Sequence, residues 1–167
     1  VDHEAGHVRH TDMEAYHAGQ PAIRALPDKR VGKLGDVLRN AMEDVRLERK
    51  VIDAYPGAAS NLGATAERVN SLLEGEIAEL PEDKRDHLGV IGPVALTWAG
   101  RREYGGGKGR ELFDALPEDK QEILREAAAW SASADSTKAV VKQAMEFASR
   151  WVKYEEDEDK GPGDPEV

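Results

Sequence analysis

The sequence predicts an all-α, multi-helix fold. Apolar residues recur at three- and four-residue spacing along most of the chain, and no stretch alternates Val, Ile, Tyr or Thr as a half-buried strand does. Three similar joints, Leu26-Pro27-Asp28-Lys29, Leu80-Pro81-Glu82-Asp83-Lys84 and Leu116-Pro117-Glu118-Asp119-Lys120, each have the form of a helix start. Proline is tolerated in the first turn, and acids there suit the positive end of the helix dipole. The segments between the joints differ in length and pattern, so local physics rather than an internal repeat accounts for the likeness.

The first helix begins with His3-Glu4-Ala5-Gly6-His7 and either runs to about Ala18 or restarts at Thr11, which has capping-box spacing to Glu14. Gly19-Gln20-Pro21 is expected to end it. A long second helix is expected from about Gly32 to Ala54, stopping at Tyr55-Pro56-Gly57, and a third from Ala58 to about Glu79. Further helices are expected at about 86–104, 118–132 and 135–154. In the last, Val140, Ala144, Ala148 and Trp151 form one apolar stripe with Val141, Met145 and Val152 beside it. Tyr104-Gly105-Gly106-Gly107-Lys108-Gly109 lacks the Gly-Lys-Ser/Thr ending and the preceding strand of a phosphate loop, and reads as a flexible connection.

The 167 residues fit one domain with an aliphatic core, since only 5% are aromatic while 34% are charged. Of the formal charge of −10, residues 155–167 carry −6, with seven acids against Lys160, and the body carries −4. Residues 1–154 are therefore read as the helical domain, and 155–167, which include Gly161-Pro162-Gly163-Asp164-Pro165, as a disordered acidic linker or tail. No basic stripe interleaved with aromatics is available for a phosphate backbone, which argues against nucleic-acid binding. Without cysteine there is no disulfide framework and no thiolate metal site. No apolar run could span a bilayer, and no signal-like segment precedes His3. The chain is expected to be soluble and cytoplasmic.

His3-Glu4-Ala5-Gly6-His7 has the HExxH form. On a helix the two imidazoles lie ~40° apart on one face, within reach of a single ion, with Glu4 beside it. That pattern suits zinc, with Glu4 as the base that takes a proton from metal-activated water. A third ligand is required. On a wheel with Leu34 at zero, Leu38, Ala41, Val45 and Ile52 fall within about 40° and form the buried face. Arg39, Glu43, Arg46 and Lys50 fall on the side left for solvent. Asp44, at about 280°, and Glu48, at about 320°, lie at the edge of the buried face. A carboxylate carried there needs a cation, so Asp44 is assigned as the third ligand. Glu48 is placed to accept from the free ring nitrogen of a ligand histidine, and Asn40 to orient a carboxylate or a substrate carbonyl. Glu43 is the rival third ligand. The simplest alternative pairs Asp44 or Glu48 with Arg9, Arg24 or Arg49. His10 and His17 prolong the histidine stripe and could form a second site, though surface or interface roles fit them better; His87 stands alone near a helix start.

Together these segments resemble the metallopeptidase-like region that accompanies von Willebrand factor A domains in bacteria and their phages, the cobaltochelatase CobT subunit family in particular. The matching pieces are His3-Glu4-Ala5-Gly6-His7 with Thr11-Asp12, Asn40-Ala41-Met42-Glu43-Asp44-Val45-Arg46-Leu47-Glu48-Arg49, and Tyr55-Pro56-Gly57-Ala58 with Asn61-Leu62, within residues 2–63. The resemblance implies a zincin-like metallopeptidase-type domain working beside AAA+ ATPases of the MoxR or chelatase type, with a von Willebrand factor A domain after the acidic linker. The Asp-x-Ser-x-Ser loop of that domain is missing here. Compared with peptidases the chain also lacks the element that walls the cleft before the metal helix, and a fragment is expected. Two functions follow as expectations: a zinc-dependent peptide or amide hydrolase, or a non-catalytic module that docks such an ATPase. A helical bundle without metal is the third reading.

Overall fold

The computed structural model describes residues 1–161, which form helices and connecting turns without a strand among them. The helices are α1 (Asp2–His10), α2 (Met13–Arg24), α3 (Lys29–Ala54), α4 (Ala58–Glu79), α5 (Leu88–Gly100), α6 (Gly107–Asp114), α7 (Glu118–Ser133) and α8 (Thr137–Asp159). The all-α expectation holds. None of these helices is long and apolar enough to cross a membrane.

Local chemistry moved several boundaries. The first helix does restart, but with Asp12 as its cap, its carboxylate accepting from Ala15 N, while Thr11 closes α1. Gly19-Gln20-Pro21 does not end α2. Pro21 stands inside the helix, and fully buried Ile23 holds the last turn in place. With Asp28 as its cap, α3 starts at Lys29, three residues earlier than the apolar pattern suggested. The Leu80-Pro81 joint yields only a short 3-10 turn, Glu82–Lys84, before His87 caps α5. The glycine-rich segment is not wholly a connection, because α6 begins within it and seats buried Phe113 in the core.

The last helix runs to Asp159, past the boundary expected at 154. Glu155 continues the buried stripe one turn after Trp151, accepts from Leu88 N at 2.7 Å and lies 3.2 Å from Lys120 Nζ. It thus satisfies an open amide at the start of α5, where a carboxylate is favoured. Glu156 pairs with Arg30. Lys160 caps the helix, and Gly161 follows with a φ of 65°, in the left-handed region that glycine adopts without strain, its N–H donating back to the Glu158 carbonyl. The rest of the expected tail, 162–167, lies outside the described residues.

The main core gathers Leu34, Leu38, Met42 and Val45 of α3 with Leu88, Ile91 and Leu96 of α5, Leu124 of α7, and Val140, Phe147 and Trp151 of α8. A smaller cluster of Val51, Ala58 and Leu62 fixes the α3–α4 turn. The stripe read on α8 is buried as expected.

The wheel of α3 failed on its far side. Arg39, Glu43 and Arg46 are all buried, because α1, α2 and α8 cover the face that a one-sided helix would leave in water. Arg39 donates to the Tyr16 carbonyl at 2.8 Å and to Asp36 at 2.9 Å. Arg46 donates to both oxygens of Glu43, at 2.8 and 3.0 Å, and also to the His10 carbonyl and Thr137 Oγ1. Thr137 in turn donates to Glu43 and accepts from Asp12 N. This network clamps the α1–α2 junction and the start of α8 onto α3. Removing one ion would strand the other: Arg46→Met is expected to lower the unfolding free energy by about 3–5 kcal/mol, and Glu43→Leu/Arg46→Met to recover most of that loss. Urea denaturation followed by far-UV circular dichroism measures both; a double variant as unstable as Arg46→Met would show that charge compensation is not the reason.

Candidate metal centre

The HExxH helix reaches α3 through its glycine. A Cβ at Gly6 would stand 2.8 Å from side-chain carbons of both Leu47 and Val51, so the absence of a side chain there sets how closely α1 and α3 approach. Gly6 is the one buried residue of α1. His3 and His7, one turn apart, then flank the contact with ring centroids 4.9 Å apart and planes at 79°.

Both Nε2 atoms face one carboxylate oxygen. His7 Nε2 lies 3.2 Å and His3 Nε2 3.5 Å from Asp44 Oδ1, and a ligand atom from each of the three residues lies within 4.8 Å of the others. A tetrahedral ion with bonds of about 2.0–2.1 Å sets its ligand atoms about 3.3–3.4 Å apart, and the two separations to Asp44 fall about 0.1 Å on either side of that range. The donors are also chemically suited, being borderline imidazoles and a harder carboxylate with no thiolate.

The other ring nitrogens are engaged. His3 Nδ1 lies 2.9 Å from Glu48 Oε1, and His7 Nδ1 3.0 Å from Thr11 Oγ1. Burial alone would raise the Glu48 pKa, but hydrogen bonds from His3, Arg101 and Tyr104 and the guanidinium charge bring it down to about 2. Glu48 is therefore ionised and can only accept, so His3 Nδ1 carries the proton. With the proton on Nδ1, Nε2 is the nitrogen that faces Asp44, at the place where either a second proton or a metal ion would stand between them. The hydrogen bond with Glu48 raises the pKa of His3; burial opposes this, and the charges of Asp44 and Glu48 add to the rise.

Glu48 is held on all sides. Arg101 Nε donates to Oε2 and Nη2 to Oε1, both at 2.8 Å, and Tyr104 Oη donates to Oε2 at 2.7 Å. Burial and the negative charge of Glu48 raise the Tyr104 pKa, which keeps the phenol protonated as a donor. The structure thus places Glu48 against the His3 ring and pairs it with Arg101 rather than with Arg9, Arg24 or Arg49. Those three instead meet Tyr55, Asp36 and Glu103.

The remaining candidates separate clearly. Glu43 is fully buried in the network with Arg46 and Thr137, away from the histidines, so it does not rival Asp44. Asn40 Oδ1 accepts from Tyr16 Oη at 2.8 Å, and its residue lines the cleft described below. Tyr16 also places its ring against the Arg39 guanidinium. His10 and His17 join no cluster of metal-binding side chains among the described residues, and His17 stacks edge-on with Tyr16. His87 caps α5 by accepting from Gly89 N. Glu4 is exposed and is not among the residues that line the cleft. Arg101, Tyr104 and Thr11 were missed in the sequence. Arg101 stands 53 residues from Glu48, and no local spacing links them.

A cleft of about 710 Å³ opens beside the centre, bounded by the start of α1, by α3 and α5, and by α4. It takes in His3, Asp44, Glu48 and Arg101. No protein-family model, curated protein or solved structure matches the chain.

Gly6→Val adds a branched side chain at the tightest point between α1 and α3. It is expected to loosen the seat of α1 on α3 and to weaken whatever affinity the His3, His7 and Asp44 group has for zinc at least about tenfold, or about 1.4 kcal/mol, while leaving the helical content of the main core nearly unchanged. Zinc titration against a competing chelator, alongside circular dichroism, tests it; unaltered zinc affinity would show that close helix approach does not set the ligand geometry.

Proposed function

We propose that this chain is a zinc-binding, metallopeptidase-like domain in which His3, His7 and Asp44 hold the ion and a peptide or amide bond is hydrolysed beside it. The observation that carries this reading is the convergence of two imidazole Nε2 atoms on Asp44 Oδ1, with each Nδ1 already engaged. Zinc bound by such a set acts as a Lewis acid and lowers the pKa of a bound water toward ~7. Glu48 fixes the tautomer of His3, and its bond to Arg101 keeps it ionised. Asn40, at the cleft wall, is placed to orient a substrate carbonyl. The resemblance to the cobaltochelatase CobT subunit family supports the same reading.

One observation favours a second function. Glu4, the base of the HExxH pattern, is exposed and outside the cleft lining. A metal-stabilised module that docks an AAA+ ATPase of the MoxR or chelatase type would need no base there. Elemental analysis after dialysis is expected to find one zinc per chain, lost in His3→Ala and in Asp44→Ala; a metal content unchanged by either substitution would refute the centre. On casein or short peptides, Glu4→Gln is expected to lower hydrolysis by about 100-fold or more. Hydrolysis that is equal in both proteins removes Glu4 from the reaction, and zinc without any hydrolysis favours the docking module.

A further inference from the structure

The cleft beside the centre has two chemically different ends, set by helix register. Along α3, Glu48 and Asp44 mark the polar end and Ala41 and Val37 the other. Along α5, Arg101 stands at the polar end beside Glu48, with Val94 and Pro93 two turns away. The opposite wall, α4, runs from Asn61, which donates to Asp2 at 2.9 Å, to Ala66 and Val69. On α3 the rise is about 4.5 Å from Asp44 to Ala41 and about 10 Å to Val37, so the apolar end begins within one large side chain's length of the Asp44 position and extends beyond it.

The apolar end carries no charged lining residue, its polar members being the uncharged Asn40, Thr65 and Thr97. Val37, on α3, and Val69, on α4, are 55% and 45% exposed. Neither belongs to the main core, and both are presented to the cleft. The volume falls in the range of pockets that enclose small ligands, and such pockets characteristically combine apolar walls with a few convergent polar groups.

We infer that the cleft selects amide or peptide substrates with a large apolar side chain, aliphatic or aromatic, next to the bond that is hydrolysed. The side chain lies among Val37, Ala41, Ala66, Val69, Pro93 and Val94, and the carbonyl points to the His3–Asp44 end. The inference rests on the metal reading above and adds to it the identity of the group recognised. Water leaves the apolar wall when the side chain enters, and that exchange supplies the discrimination.

The test uses the zinc-loaded chain and three hydroxamates that share one metal-binding head: acetohydroxamate, hydrocinnamohydroxamate with an aromatic arm, and succinohydroxamate with a carboxylate arm. Calorimetry is expected to show the aromatic arm binding at least about tenfold tighter than the acetyl compound, and the carboxylate arm no tighter. Val37→Asp and Val69→Asp change exposed positions, so the fold is retained. Each is expected to bring the ratio of hydrocinnamohydroxamate to acetohydroxamate affinity, measured on the same variant, close to one while the chain still carries zinc. Bound zinc with equal affinities for the three probes, a preference for the carboxylate arm, or an aromatic gain untouched by both substitutions overturns the inference alone. Absence of zinc or of acetohydroxamate binding overturns the metal reading, and this inference with it.

Discussion

Glu48 accepts hydrogen bonds from three separated parts of the chain: His3 on α1, Arg101 just past α5, and Tyr104 in the turn that follows. A carboxylate this deeply buried is tolerated only because both of its oxygens are occupied and a guanidinium balances its charge. The arrangement fixes more than one residue. It orients the His3 ring, sets which nitrogen carries the proton, and ties the start of α1 to the end of α5 across α3. Asp44, one turn earlier on α3, then faces the remaining nitrogen, and the geometry of the centre follows from a contact outside it.

α3 has a position that explains both networks. It is surrounded by α1, α2, α5, α7 and α8, so charged residues on several of its faces are withdrawn from water and must find partners. Glu43 and Arg46 solve this by clamping Thr137 and the His10 carbonyl. Asp44 makes no direct ion pair with a guanidinium or ammonium among the described residues: the groups against it are the two imidazoles, with the Arg101 charge farther off. Along one helix, the acid with a guanidinium partner is structural, and the acid facing two ring nitrogens is the one available to an ion.

Spacing made His3, His7 and Asp44 legible together in the sequence, because residues on one helix face are related by simple rotation and a carboxylate at the edge of an apolar face invites a cation. Glu48 was legible for the same reason. The burial of Arg39, Glu43 and Arg46 was not, since a wheel assigns one covered face and cannot see that α1, α2 and α8 close the other; Thr137 lies 94 residues from Glu43. Arg101 stood near the end of a helix expected to reach 104 and Tyr104 at the start of the glycine-rich connection, and no local spacing ties either to Glu48. The run of acids after Tyr154 read as linker because charge density there outweighs pattern, yet Glu155 continues the spacing of Trp151 and becomes an internal cap.

α1 is nine residues long and buries no apolar side chain of its own. A helix of that length has little stability alone, and its grip on the body consists of polar contacts, which water can replace when they break, together with the seat of Gly6 against Leu47 and Val51. The main cluster of α3, α5, α7 and α8 contains no residue of α1. The two imidazoles of the proposed centre thus ride on a helix without an apolar anchor, while the carboxylate that faces them belongs to α3 at the heart of the packing, so an opening that frees the imidazoles needs no core contact to break.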